Sequence, residues 1–373
     1  MAETSEDTPM LTLERVNEPP AETWNRLRVN DITLTVPRLS RKGDVYFALP
    51  QLFERVECGM GEKVTSWVTS QAADSRYVEV RAHEKRAEPI VVTIDADKGE
   101  VADTGVMVRS GASATIVVAA LGTDAGATTS ASLLRVIAEE NTNVSIVEVV
   151  GVGASQQHLE SLGVTADDDS QVTVRQYALG GGTIAFGSCV ALDGDRARTD
   201  LLMRYFADGK DVLDVNHVVR QRGHNTRAEV HESGILDDDA TKALRATIDL
   251  VHGGRGSKGN EAESVLVFGD GVTNKTMPVI LCDEDDVQGN HGATIGSVAP
   301  EAMQYLADRG LSRSQAEALF VRALFEDAII NAPEEFSHKV AVTQAERVLG
   351  AEVAHDFDDS ANADAAEEAC HAE

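Results

Sequence analysis

A mainly β fold followed by a short helical module is what this sequence predicts, and three observations carry that expectation. From Ile90 to about Thr294 the chain is a series of short Val/Ile/Thr-rich runs separated by Gly, Asp, Asn and Ser, the pattern of strands with turns between them. Hydrophobic residues make up 42% of the 373 residues but aromatics only 4%, so the core must be filled by Val, Ala, Leu, Ile and Thr in regular layers. After residue 296 the period changes to that of helices, with caps and stops in place.

The first region, 1–89, reads as a small α/β unit with a frayed start. Its opening residues are rich in Glu, Asp and Thr and reach Pro19–Pro20, after which helix-like TWNRL and SWVTSQAA alternate with strand-like ITLTV. The core region, 90–296, contains runs such as IVVTIDA, ATIVVAAL, VSIVEVVGV, TIAFGSCVAL and MPVILC. A dozen or so such strands without intervening helices suit a sandwich, a barrel or a β-solenoid. No hexapeptide-like repeat selects among the three, although small and β-branched residues favour a solenoid, where they stack coil upon coil.

The region 297–351 is expected to be helical. Pro300 stands where a helix can begin and Gly310 where it can end. Ser312 and Gln315 form a capping box ahead of Ala316, Leu319, Phe320, Ala323 and Leu324, which share one helical face. Pro333 opens a further helix that Gly350 stops, and 352–373 is an acidic tail expected to be disordered.

Composition narrows the function. Acidic residues outnumber basic ones by 62 to 33, a formal net charge of −29, which repels nucleic acid and anionic membranes. The longest apolar run, Ala114 to Leu121, falls far short of the roughly 18 residues of a bilayer span. The N-terminus lacks a signal-peptide pattern, so a cytoplasmic setting is expected. Cys58, Cys189, Cys282 and Cys370 stand singly, without the CxxC pairs of a zinc site.

Several motifs resolve into ordinary structure. VHGGRGSKGNE (251–261) lacks the Gly-Lys-Ser/Thr of a phosphate loop and reads as a turn between strands. His217, His224 and His231 lack a carboxylate or cysteine at ligand spacing, and no GxSxG nucleophile turn is present. Acids such as Asp237 to Asp239 and Asp283 to Asp286 are too abundant to be informative. What remains is CDEDDVQGNHGAT, from Cys282 to Thr294, which places a thiol, four acids and His291 around a Gly-containing bend. Thiolate and imidazole are both iron ligands, yet by spacing alone a core cysteine and a turn histidine are the commoner outcome.

The block from His224 to Ile329 resembles the SufB/SufD family of iron–sulfur cluster assembly scaffolds, and the SufD side in particular. The resemblance rests on Asn274-Lys275-Thr276-Met277-Pro278, Asp285–Asp286, His291-Gly292-Ala293-Thr294 and Tyr305-Leu306 with Arg309-Gly310. It implies a right-handed parallel β-helix with an N-terminal region and a C-terminal helical domain. It also implies a non-catalytic scaffold that pairs with a SufB-like subunit through the β-helix cores, docks a SufC-like ABC ATPase on its C-terminal helices, and handles a transient iron–sulfur cluster or iron. His291 matches the histidine that faces the partner subunit's cysteine, and Cys282 is the nearest thiol in this chain. Many members carry cysteine two residues before that histidine, where this chain has Gly289. Ser312, Gln315, Leu319, Phe320 and Phe325 fall in the ATPase-docking helix region. A flavin is neither implied nor excluded. The alternatives are a principal scaffold acting as a homodimer that binds a cluster itself and, outside the family, a carbohydrate-active β-helix enzyme, which the scarcity of Trp and Tyr and the lack of a secretory signal disfavour.

Overall fold

The structure is a computed structural model that describes residues 9–21, 29–38, 48–72 and 75–351. The helix-like TWNRL and the acidic tail 352–373 lie outside the described residues. Two strands, β1 (Met10–Val16) and β2 (Ile32–Pro37), pair antiparallel and are followed by helix α1 (Glu62–Gln71). Sixteen further strands then alternate between two parallel sheets of eight. The first sheet runs from β3 (Ser75–Val80) to β17 (Thr273–Cys282), and the second from β4 (Ile90–Asp95) to β18 (Gln288–Gly296).

The result is the β-solenoid alternative, as the family resemblance implies. Asn143, Gln171, Arg198, Arg227, Lys258 and Gln288 stack in register, so one coil takes 27–31 residues. Its corners have a definite mechanism. His83, Gly111, Asn141, Asp169, Arg196, Asn225 and Gly256 all adopt left-handed backbone, with φ of +55° to +75°. From each, the N–H donates to a carbonyl of the following coil, as Asn141 does to Asp168 at 2.8 Å and Gly256 to Asp286 at 2.7 Å. A corner that must turn the chain while still bonding to the next layer selects Gly and Asn, which tolerate this conformation.

Strand alternation divides the side chains into inward and outward sets. The inward set is mostly Val, Ile, Leu and Ala, forming one continuous core through the stack. Outward residues of the first sheet, including Leu133, Leu159 and Ala185, are covered by β1, β2 and α1 through Leu13, Val36, Val64 and Trp67. Arg245 strengthens this seam: its guanidinium donates to Asp214 at 2.8 and 2.9 Å and also to the Val29 carbonyl, while Asn17 donates to Asp214 at 2.8 Å.

The outer face of the second sheet is covered by α3 (Arg313–Ile330) and α4 (Glu335–Leu349), which follow α2 (Pro300–Ala307). Pro300 occupies the first turn of α2, and the Ser312–Gln315 capping box forms with both reciprocal bonds. Glu334 caps α4 by accepting from Ser337 and Phe336 amides, and Gly350 ends it. Among the described residues, no helix is long and apolar enough to cross a membrane.

Candidate functional site

In-register stacking aligns inward residues into columns, and two of the columns end at the sequence-expected site. Val230, Glu261 and His291 form one column in the second sheet, so His291 occupies an inward position on the last strand. Among the described residues no strand follows β18, and all nine residues of that strand are exposed. At the other end of the same sheet, Ile90, Val92 and Ile94 of the edge strand β4 are buried. The solenoid therefore ends open, with His291, Ala293 and Ile295 at the mouth.

Cys282 is the last residue of β17, in the column of Leu250, and its exposed thiol donates to the Glu284 carbonyl at 3.3 Å. It and His291 lie on opposite sheets of the same final coil. Between them, Asp283 to Asp286 form the connecting bend. Glu284 holds that bend to the preceding coil by accepting from the Gly253 N–H at 3.0 Å, and this bond with the Asp286 and Asp285 amides keeps its carboxyl below the usual range. Gly289 stands in the inward column of Gly259, where a Cβ would meet Ile280 at 3.1 Å and Leu250 at 3.2 Å.

Directly behind the mouth lies a buried ionisable cluster that sequence reasoning missed. Lys242 pairs with Glu263 and donates to Thr276 at 3.0 Å, Tyr205 donates to Glu263 at 2.8 Å, and His217 Nδ1 lies 3.0 Å from Glu232. Glu261 completes the group. Oxygens of Glu232 and Glu263 and the His217 Nε2 have no hydrogen-bond partner among the described residues, and the carboxyl of Glu261 faces the Gly292 N–H. Burial, reinforced by neighbouring carboxylates, pushes Glu232 and Glu261 up to about 8, while burial lowers Lys242 and brings His217 down to about 3. At neutral pH Glu232 and Glu261 therefore keep their protons and the His217 imidazole is neutral, beside the Lys242–Glu263 contact. Unpaired ionisable groups in a buried position cost free energy, which makes this cluster a candidate functional site. The signal available in sequence was the polar residue at an inward position, which only the register identifies.

His217, His224 and His231 do not face a common ligand. His217 is inside the solenoid, whereas His224 is exposed on a corner beside Asp195 at 2.8 Å and His231 is exposed on β14 (Arg227–Leu236). Among the described residues, no group of three His, Cys, Asp or Glu side chains is placed to hold a metal ion. The segment 251–261 forms a turn entering β16 (Lys258–Val267), as its sequence predicts.

The helix residues expected to meet a partner divide sharply. Leu319 is 44% exposed, and Ser312 and Gln315 are exposed but spend their side chains on the cap. Phe320 is half-buried beside Leu324. Phe325, expected on the docking surface, is instead fully buried, with its ring 5.7 Å from Phe206 in the seam between α3 and the second sheet. Helical spacing alone does not tell the face turned to the chain's own core from the face turned outward. A groove of about 400 Å³ opens between α2 and α3, lined by Met303, Ala307, Leu311 and Arg313.

Comparison with known proteins adds the context. Residues 91–324 match the profile of a family described as "SUF system FeS cluster assembly, SufBD core domain". The iron-sulfur cluster assembly protein SufD of Bacillus subtilis (strain 168) is 24% identical over 218 residues, which are 57% of this chain and 49% of that protein. An iron-sulfur cluster assembly SufBD family protein of Synechocystis sp. is 21% identical over 216 residues, 56% of this chain and 45% of that one. Another, from Methanocaldococcus jannaschii, is 27% identical over 128 residues, 34% of this chain and 40% of its own length. The chain thus spans about half the length, or less, of these curated relatives.

Proposed function

The chain belongs to the SufBD family of iron–sulfur cluster assembly proteins, and on that footing we propose that it is a SufD-like scaffold subunit without an active site of its own. Its partner in this reading is a SufB-like subunit joined at the open end of the solenoid, with a SufC-like ABC ATPase on the C-terminal helices. Iron or a nascent cluster is the cargo that the pair handles. The observation that carries the proposal is the open final coil, where His291 stands in an inward column with no layer beyond it.

Chemistry supports a shared site. A neutral imidazole is a good iron ligand, and Cys282 could supply a thiolate. Two donors on opposite sheets, without a convergent third, suit cargo whose remaining ligands come from another chain. Gly289, where many members of the family carry cysteine, favours the SufD-like role over a principal scaffold. Among the described residues no strand pairs with the outer edges of β17 and β18, and these edges offer backbone donors and acceptors that a second solenoid can cover.

The proposal is tested by reconstituting the full chain with a SufB-like subunit and a SufC-like ATPase. His291→Ala is expected to lose most cluster formation, read by visible absorption, while the three chains still co-purify. Unchanged cluster formation on an intact complex would remove the role of His291. A stable stoichiometric cluster on the isolated chain would point to the homodimeric scaffold instead.

A further inference from the structure

A second constellation lies on the outer face of the first sheet, three strands in from the edge strand β17. Arg135 of β7 (Thr129–Ala138), Gly163 of β9 (Gln157–Ala166) and Cys189 of β11 (Thr183–Leu192) stand side by side in register. The N-terminal region crosses this row. Gly59 donates its N–H to the Leu162 carbonyl at 3.2 Å and accepts from Asn216 at 2.9 Å. Because Gly163 has no side chain, residues 56–58 pack onto it: a Cβ there would fall 2.6 Å from the Glu57 carbonyl oxygen, 2.8 Å from a Val56 methyl and 2.9 Å from the Cys58 Sγ. Adjacent strands are about 4.8 Å apart, so Cys189 belongs to the strand beside the one that this thiol covers. Both cysteines line one cleft of about 340 Å³, Cys189 buried and Cys58 half-buried, and both are free thiols.

We propose that Cys58 and Cys189 form a two-coordinate site for a soft monovalent cation, of which Cu(I) is the ion the donors fit. Thiolates select such ions over harder metals. No third donor converges here: Glu57, the nearest acid, is held by Arg220 at 2.7 Å, and no three-ligand group exists among the described residues. Binding joins one Cu(I) to two sulfurs and releases the two thiol protons to solvent, leaving a complex of charge −1. Arg135 beside Cys58 and Arg220 beside Cys189 favour that charge, although each is also paired, Arg135 with Asp103 at 2.7 Å and Arg220 with Glu57 and Asp249. In the empty site burial pushes Cys58 up to about 11 and Cys189 higher still, which keeps both as inert thiols until a metal displaces the protons.

The experiment uses the full chain carrying Cys282→Ser and Cys370→Ser, titrated anaerobically against the Cu(I)–bicinchoninate complex. The chain is expected to withdraw a single equivalent of Cu(I), more tightly as pH rises. Cys58→Ala, and Cys189→Ala or Cys189→Ser, whichever retains the parent circular dichroism spectrum, should each abolish the withdrawal. No withdrawal by the parent chain would overturn the proposal. So would full withdrawal by either folded single variant.

Discussion

Glu160 and His158 sit together inside β9, His158 Nε2 at 3.1 Å from Glu160 and Nδ1 at 2.8 Å from Ser130. Glu148 faces them from the second sheet and Gln176 bridges onward to Ser188 at 2.8 Å. Burial pushes Glu160 up to about 8 from an ordinary value near 4.5, as it does Glu232. Between those values the folded chain keeps protons that the unfolded chain has released, so stability falls as pH rises. Buried His158 and His217, brought down to about 3, act oppositely, adding stability as pH rises toward 6.5. The two slopes compete below pH 6.5, and above it only the carboxyls remain. The urea midpoint is therefore expected to fall from pH 6.5 to 8, and Glu160→Gln to flatten that fall; a midpoint that rises over this range would contradict the protonated interior. None of this was legible in the sequence, where His158 and Glu160 look like solvated residues.

At the scale of elements, legibility followed the chemistry of the inward positions. IVVTIDA and ATIVVAAL announce β4 and β6 (Ser113–Leu121) because Ile90, Val92, Ile94 and Ile116, Val118, Ala120 all face the core. By contrast, β9 and β14 carry His158, Glu160 and Glu232 inward, which breaks the apolar alternation that marks a strand. The corner repeat was hidden for a different reason: its demand is a left-handed backbone, met by Gly and Asn twice each and by His, Asp and Arg once each, so no single letter marks every corner. Helix signals were plainer, since a cap is local chemistry. Ser312→Ala removes the hydroxyl that accepts from the Gln315 amide, and is expected to cost about 1 kcal/mol, read by thermal unfolding of the full chain. A loss below a few tenths would mean that α3 is held by Phe325 and its neighbours regardless of its cap.

At the scale of the whole molecule, one end of the solenoid is closed by buried side chains and the other is not. Ile295, in the column of Val265, is 52% exposed at the mouth, and two strand edges stand beside it. Such edges associate unless covered. The isolated chain is accordingly expected to self-associate at high concentration in sedimentation velocity. Ile295→Lys should suppress this and also weaken pairing with a SufB-like subunit, leaving the unfolding midpoint within about 0.5 kcal/mol of the parent, as for other exposed changes. The sequence by itself determined the strand-rich core, the helical module with its caps, and the candidacy of His291, because propensity, capping and a family motif are all carried by neighbouring residues. Only the tertiary structure decided that His291 stands in an inward column at an open end, that Phe325 is core, that six ionisable groups meet behind the mouth, and that Cys58 and Cys189 line one cleft. Those facts depend on register between coils 27–31 residues apart, and register is settled by corner geometry and stacking rather than by any local run of residues.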